Sequence, residues 1–332
     1  MKTTLLTLFL MLAGCGSKSE LRKVRVASSA AGLQMGWLPI TLAQTLGYYK
    51  EEGLDVEVQS MASTAKTLQA LIGGSVDVAG ISYVQTIQMA AEGQSVRSFF
   101  LMHVRDSRAL VVAPKAMGKI HRVADLKGAI IGVPSPGSPT HQLVTFYLAS
   151  NGIKATEVSA VGIGTGGSAF AAVESGRVDA AALSGAEHLH LLHRHPEMRV
   201  LVDASTAEGM RATYGDGTYA GSDAAARQEW LTRNPDTARR MARALLRTQQ
   251  WLMTHTPEEI RARLPEDMKT AEVAVDLEII RKGCEAYTTD GAMPNGAPEN
   301  MRRYLDATLE KVRDAKIDLT KTWTNEYLPG VK

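Results

Sequence analysis

Small polar residues collect near the middle of the chain, where an apolar run ends. The run AIIG leads into VPSPGSPTH at positions 133–141, which contains Ser135, Gly137, Ser138 and Thr140. At a turn from a strand into a helix, hydroxyls and free main-chain N–H groups can hold a small anion, and the helix dipole favours negative charge there. The glycine allows close approach of the backbone, and the prolines stiffen the turn. The stretch is therefore predicted to contact a ligand.

Comparable loops follow other predicted strands and add candidates for the same site. The alternative for any single loop is a helix cap or a tight turn, because Ser, Thr and Gly serve both purposes. Trp37 and Tyr83 either stack on the ligand or pack in the core, and His141 either donates to an anion or lies on a helix surface. The further candidates are Ser28, Ser29, Trp37, Ser63, Thr64, Ser82 and Tyr83 in the first half, and Thr165, Gly166 and Gly167 in GIGTGGS.

The elements that position these loops alternate between strands and helices from residue 21 onward. KVRVA, LDVEVQS and VDVAG have the pattern of strands, and helical patterns lie between them. Such alternation predicts βαβ units and a mostly parallel sheet. From about residue 220 the pattern becomes helical, which we interpret as packing helices.

The plan is duplicated at a constant offset. The segment ALIGGSVDVA resembles AVESGRVDAA, and each matched residue lies 102 positions after its counterpart, as Asp179 does after Asp77. The same offset places Thr165 opposite Ser63. Two related α/β lobes are therefore predicted, each presenting helix N-termini to one cleft.

The N-terminus has the pattern of a secretory leader. Lys2 precedes an apolar run at 5–12 that is too short to span a bilayer, and the run ends at Leu-Ala-Gly-Cys with Cys15. This ending resembles a bacterial lipobox, so we expect a signal peptide at 1–14 and a lipidated Cys15 starting a tether at 15–20. The second cysteine, Cys284, then has no disulfide partner and is interpreted as a packed, inert thiol.

Several function classes are disfavoured. The net charge of +2 argues against nucleic-acid binding, and the chain lacks the P-loop, dinucleotide, G-x-S-x-G and H-E-x-x-H motifs. The cluster HLHLLHRH at 188–195 is interpreted as a solvated helix end rather than a metal site. No cofactor and no metal are predicted.

Four segments in order, AQTLGYYKEEGLDVEV, ALIGGSVDVAG, VADLKGAIIGVPSPGS and AVESGRVDAAAL, resemble the substrate-binding lipoproteins of bacterial ABC importers. The resemblance is to the branch that binds alkanesulfonates, taurine, nitrate and thiamine precursors. It implies a two-lobed periplasmic-binding-protein clamshell with the ligand in the cleft between the lobes. We expect lobe I at 21–115 and 206–332, and lobe II at 116–205.

The resemblance also implies a setting and partners. It implies a monomeric binding protein, not an enzyme, held by its lipid on the periplasmic or cell-surface face of a bacterial membrane. Its partners would be a small-molecule ligand, an ABC permease and the permease's ATPase.

The ligand is predicted from the side chains of the candidate loops. These loops contain no Arg, and their one Lys, Lys66, lies a turn into a helix, so a multiply charged anion would lack a counter-charge. A sulfonate such as taurine is the first expectation. A pyrimidine-type thiamine precursor is the alternative and requires Trp37 or Tyr83 in the cleft. An alternative of another class is a thiamine-pyrimidine biosynthesis enzyme of the same fold, which the lipobox disfavours.

Overall fold

The computed structural model describes residues 21–28, 32–61 and 64–330. Cys15, Ser29 and Ser63 lie outside the described residues, as does the side chain of Thr64. The strands are β1 Arg22–Ser28, β2 Leu54–Ser60, β3 Val78–Ser82, β4 Val96–Leu101, β5 Ala109–Val112, β6 Ile130–Val133, β7 Ser159–Gly162, β8 Ala180–Leu183, β9 Val200–Asp203 and β10 Ser222–Arg227. The helices are α1 Leu38–Thr45, α2 Tyr48–Glu51, α3 Thr64–Ile72, α4 Tyr83–Ala91, α5 Pro139–Ser150, α6 Gly167–Glu174, α7 Gly185–Arg194, α8 Ala207–Tyr214, α9 Gln228–Arg233, α10 Pro235–Thr254, α11 Pro257–Arg263, α12 Val273–Cys284, α13 Ala297–Asp306 and α14 Glu310–Arg313.

The strands form two sheets with the same internal plan. The first, in lobe I, has the order β2-β1-β3-β10-β4, and the second, in lobe II, has the order β7-β6-β8-β5-β9. In each sheet the fourth strand runs antiparallel to both of its neighbours, and the pairings between the first three are parallel. The predicted α/β architecture of two related, mostly parallel sheets flanked by helices is confirmed.

Two aspartates explain part of the duplicated sequence. A carboxylate oxygen of Asp77 accepts the main-chain N–H of Arg25 at 2.9 Å, and one of Asp179 accepts that of Ile130 at 2.8 Å. The left-handed glycines that end the preceding helices, Gly74 and Gly176, have φ values of 77° and 70°. Each lobe therefore uses the same glycine turn and the same aspartate to join a strand to its neighbour.

The predicted change of lobe at 115/116 is wrong. Strand β5 pairs with β8 and β9 and therefore belongs to lobe II. The chain thus passes from lobe I to lobe II between β4 and β5, at residues 102–108, and we call this segment the first crossing. The second crossing falls between β9 and α8, because Met210 and Tyr214 of α8 pack with Tyr304 in lobe I. The apolar, fully buried ALVV segment explains the first difference, because it forms an inner strand of the second sheet between β8 and β9.

The prediction that the chain turns helical from about residue 220 is also wrong at its start. Strand β10 lies between β3 and β4, and Ala224, Ala225 and Ala226 are fully buried in it. Alanine favours helices locally, but small side chains here let layers pack on both faces of the sheet. In the first helical segment, Gly47 with a φ of 80° separates α1 from α2.

The cores lie on both faces of each sheet. Ala238, Met241 and Leu245 of α10 pack against the strands of lobe I, as their helical spacing predicts. In lobe II, α5 covers one face of the sheet and α6 with α7 cover the other. Within the described ranges, no helix is long and apolar enough to cross a membrane.

A carboxyl group lies buried in the middle of the lobe I sheet. Asp223 of β10 is 0 % exposed, and neither of its carboxyl oxygens has a hydrogen-bond partner; the hydroxyls of Ser98 and Thr86 are near but out of hydrogen-bonding geometry. Burial raises the pKa of Asp223 well above its usual value. Folding therefore takes up a proton here, so stability present at low pH is lost as the pH rises towards the raised pKa.

We expect Asp223→Asn to raise the midpoint of thermal unfolding at pH 7, because asparagine carries no charge to neutralise. The gain over the wild type should grow between pH 5 and pH 8, since only the wild type pays for proton uptake in that range. Calorimetry at both pH values measures the difference, with the exposed Asp55→Asn as control. A gain that is the same at the two pH values would show that Asp223 is ionised in the folded protein.

Candidate functional site

A cavity of about 280 Å³ lies between the two sheets, beyond the carboxyl ends of their parallel strands. Ligands of open α/β sheets bind at this position, against the loops that start helices. We call it the cleft cavity. It is lined by Gln34, Gly36, Trp37, Met61, Ser82, Tyr219, Gly221 and Ser222 of lobe I; by Pro134, Ser135, Ser138, Pro139, Thr140, Gly164, Thr165, Ser184 and Glu187 of lobe II; and, at the first crossing, by His103, Arg105, Asp106, Ser107 and Arg108.

The structure brings together some of the residues that the sequence predicts for the site. The predicted residues in the lining, from both lobes, are Trp37, Ser82, Ser135, Ser138, Thr140 and Thr165. Trp37 therefore lies in the cleft, with its indole N–H donating to the carbonyl of Ile81 at 3.1 Å. The predicted residues that do not line the cavity are Ser28, Tyr83, Gly137, Gly166 and Gly167.

Tyr83 does not line the cleft cavity, and the structure favours the alternative that it packs in the core. Its ring is 0 % exposed and packs with the C-terminal helices of lobe I, including Tyr304. Its hydroxyl bonds to the hydroxyl of Thr322 at 2.5 Å. As the first residue of α4, it turns towards the core rather than the cleft. Ser28 is likewise buried, at the end of β1.

The turn before α5 is held mainly by bonds within itself. The hydroxyl of Ser138 accepts the N–H of His141 at 3.2 Å, which makes Ser138 the cap of α5. The N–H of Gly137, whose φ is +79°, donates to Nδ1 of His141 at 2.9 Å. Gly137 and His141 thus shape the turn without lining the cavity, whereas Ser138 and Thr140 do line it.

Two equivalent capping boxes face the cavity. In lobe I, the side chain of Gln85 accepts the N–H of Ser82 at 3.1 Å, and in lobe II that of Glu187 accepts the N–H of Ser184 at 3.0 Å. Both residues of the second pair follow the first by 102 positions. Glu187 also accepts the N–H of Gly166 at 2.7 Å, so the glycine loop is tied to α7. Gly166 and Gly167 thus support the loop beside the cavity but do not themselves line the cavity.

The first crossing carries a buried ion pair. Asp106 accepts from Nε of Arg108 at 2.8 and 3.0 Å, and from the Tyr214 hydroxyl at 2.5 Å. Burial alone would raise the pKa of Asp106, but the charge and hydrogen bonds of Arg108 hold it below its usual value. Arg108 also donates to the carbonyl of Pro139 at 2.5 Å. The pair therefore connects the crossing to both lobes.

His103 lies in the same crossing and is neutral at ordinary pH. It is 5 % exposed, and burial lowers its pKa to about 4 although Asp106 opposes the shift. Its ring lies 4.7 Å from that of Tyr287, centroid to centroid. We expect it to contribute shape and a neutral ring to the cavity rather than charge.

None of the residues at the first crossing is among those that the sequence predicts for the site. Arg105 and Arg108 both line the cavity, so cations reach it from outside the candidate loops, which themselves contain no Arg. The available signal was the charged segment RDSR, which lies between the apolar runs SFFLM and ALVVA. Ser184 was also missed, although the offset of 102 from Ser82 points to it.

The interpretation of HLHLLHRH as a solvated helix end is wrong for its first half. His188 and His190 are 5 % and 6 % exposed, and Nδ1 of His190 lies 2.8 Å from a carboxylate oxygen of Glu272, just before α12. Helix α7 of lobe II thus packs against lobe I. Among the residues that the structure describes, no group of three or more His, Cys, Asp or Glu is placed to hold a metal ion.

Comparisons with known proteins agree with this architecture. The family described as NMT1/THI5 like matches residues 34–260. A solved structure from Bordetella bronchiseptica RB50 is 33% identical, covers 93% of this chain and 96% of its own, and superposes with a TM-score of 0.85. The protein YtlA of Bacillus subtilis (strain 168) is 26% identical over 290 residues, which are 85% of this chain and 80% of YtlA. The periplasmic aliphatic sulphonate binding protein SsuA from Escherichia coli shares the fold, with a TM-score of 0.71 and 20% identity over 92% of this chain and 99% of that one.

Proposed function

The chain belongs to the NMT1/THI5-like family, and on that premise we propose that it is the extracytoplasmic solute-binding component of an ABC importer. It captures a small organic compound between its lobes and delivers it to a permease and its ATPase. Its relatives in fold include SsuA, named as an aliphatic sulphonate binding protein. Lipid attachment at Cys15, a periplasmic or cell-surface location and a monomeric state remain predictions of the sequence.

The observation that supports this proposal most directly is the cavity between two equivalent capping boxes. Ser82 of lobe I and Ser184 of lobe II present matching helix starts to one space of about 280 Å³. That space equals about nine water molecules, so it fits a ligand of roughly ten non-hydrogen atoms. Closure of the lobes on such a ligand would bury it and distinguish the loaded protein from the empty one.

We propose binding without catalysis. The charged side chains Asp106, Arg108 and Glu187 are engaged in bonds that hold the walls of the cavity. A general acid or base must instead be free to exchange a proton with the substrate. The ligand that we propose is a sulfonate-like organic anion. The pyrimidine alternative stays open on one observation, that Trp37 lines the cavity.

The test is a thermal-shift screen of the purified protein against sulfonates, carboxylates, nitrate and pyrimidines, followed by calorimetric titration. We expect at least one compound to stabilise the wild type. Thr140→Val should weaken its binding roughly 5- to 150-fold, because a buried ligand group that loses its hydrogen-bond partner costs about 1–3 kcal/mol.

Ser138→Gly makes the same test at the neighbouring hydroxyl. Glycine is also accepted as a helix cap and costs only a few tenths of a kcal/mol, whereas alanine costs about 1 kcal/mol. The variant should therefore lose affinity but keep its unfolding temperature. Ser150→Ala, at the exposed end of α5, is the control. A screen in which no compound raises the unfolding temperature of the wild type would contradict the proposed function. Unchanged affinity in both variants would show that the ligand does not contact the start of α5.

A further inference from the structure

A second cavity of about 250 Å³ adjoins the cleft cavity at the first crossing. It lies between α7 and β9 of lobe II and α12 of lobe I, with His188, Asp203 and Lys282 among its lining residues. The residues that line both cavities are Gln34, Gly36, His103, Arg105, Asp106 and Ser107. The side chains of the crossing therefore face both spaces.

Among the charged residues that line these cavities, Arg105 differs from the others. In the described part of the chain it is exposed and makes no hydrogen bond and no ion pair. The others are bonded within the protein: Asp106 with Arg108, Glu187 with Gly166 and Ser184, Asp203 with Ser205, Lys282 with Glu278, and Glu285 with Arg281. Among the described charged residues that line the two cavities, the one without a bonding partner, Arg105, is therefore positively charged.

Two N–H groups at the helix starts of lobe II are already engaged within the protein. Pro139 has no N–H, and the N–H of His141 is taken by the hydroxyl of Ser138. The N–H of Gly166 is taken by Glu187, whose own negative charge faces the cavity. An anionic group in the cleft still needs a counter-charge, because a buried anion without one is strongly disfavoured.

We infer that Arg105 binds the anionic group of the ligand and that the ligand is an organic monoanion, a carboxylate or a sulfonate. This inference rests on the proposed function. A guanidinium pairs with either oxyanion through two N–H groups at once. A single uncommitted cation balances one negative charge and no more. The body of the ligand lies in the cleft cavity against Trp37, Met61 and Tyr219, which supply apolar and aromatic surface.

The inference is tested by calorimetric titration of the wild type, Arg105→Ala and Arg105→Lys. The probes are 1-hexanesulfonate, hexanoate, the neutral hexanamide and the cationic hexylamine. We expect the wild type to prefer at least one of the two anions to hexanamide, and the better anion identifies the oxyanion type. Arg105→Ala should weaken the binding of that anion roughly 10- to 150-fold, since a hydrogen bond to a charged group is lost. The affinity for hexanamide should stay unchanged. Arg105→Lys should recover part of the loss.

The control is Arg263→Ala, which removes an exposed arginine that lines neither cavity. If the alanine variant at 105 binds the anions as the wild type does, Arg105 is not the anion contact. The inference is also overturned if the wild type binds hexanamide or hexylamine but neither anion, and in both cases the proposed function stands. If the wild type binds none of the four probes and no compound of the thermal-shift screen, both are overturned.

Discussion

Replacing Asp106 with asparagine should lower the midpoint of thermal unfolding by about 10 °C. The side chains of Arg108 and Asp106 are 9% and 2% exposed, so the guanidinium would stay in the interior without its counter-charge. Breaking a buried pair in this way costs about 3–5 kcal/mol, and each kcal/mol shifts the midpoint by about 2–4 °C in a protein of moderate size. The Tyr214 hydroxyl would lose its strongest acceptor at the same time.

Differential scanning calorimetry of purified protein without ligand measures this effect. Glu229→Gln is the matched control, because it neutralises one partner of an exposed pair with Arg233 and should change the midpoint by about 1 °C or less. Arg108→Met should destabilise to a similar extent by leaving Asp106 unpaired. An Asp106→Asn midpoint as close to wild type as that of Glu229→Gln would show that the pair does not hold the crossing.

The same pair makes a pH dependence with a definite sign. The pKa of Asp106 in the folded protein is lower than its usual value, because the Arg108 charge and hydrogen bonds outweigh the effect of burial. Its stabilisation is therefore complete above the unfolded-state pKa of about 3.9 and is lost as the pH falls through the folded-state value. Between pH 6 and pH 3 the wild type should lose stability that Asp106→Asn has already lost, so their midpoints should converge.

Replacing Trp37 with alanine should weaken ligand binding roughly 100-fold. The ring lines the cleft cavity and is fixed by its N–H bond to Ile81 at 3.1 Å, so the ligand meets a wall that is already ordered. A tryptophan that packs on a ligand commonly contributes 2 kcal/mol or more to binding, about 30-fold at least. Trp37→Phe keeps a ring but loses the bond to Ile81, and we expect it to lie between the wild type and alanine.

Titration with the best compound from the thermal-shift screen measures the three affinities. Tyr48→Ala is the control, since Tyr48 is an aromatic residue that lies against Arg247 and lines neither cavity. It should leave the affinity unchanged even if the fold loses some stability. Equal affinities for Trp37→Ala and the wild type would show that the tryptophan serves the fold rather than the ligand.

The repeated elements of the fold could be predicted because their causes are local. A helix that ends in a left-handed glycine and leads into Val-Asp gives the same turn twice, and the carboxylates of Asp77 and Asp179 then close the same contact in each lobe. Strand β10 could not be predicted in this way. Its alanines favour a helix in isolation, and only burial between β3 and β4 makes them a strand.

The same distinction between local and tertiary causes applies to the residues of the candidate site. Ser138 and Thr140, which line the cavity, could be nominated from the sequence because hydroxyls beside a turn have a recognisable pattern. The choice between cleft and core for Tyr83 could not be made, because the sequence does not show towards which side of α4 its ring turns. The crossing residues Arg105, Asp106 and Arg108 follow no binding motif; they reach the cavity because the chain passes between the lobes there.

The position of β10 also sets the order in which the lobes can fold. Lobe II is built from one continuous segment, with strands from β5 to β9, and can complete its sheet as soon as that segment is made. The sheet of lobe I cannot close then, because β10 must enter between β3 and β4 and is synthesised after the whole of lobe II. Until it arrives, β3 and β4 each have an edge without a partner, and open apolar edges invite pairing with other chains. Lobe II is thus expected to fold first, and the nascent lobe I is the part that needs protection from aggregation.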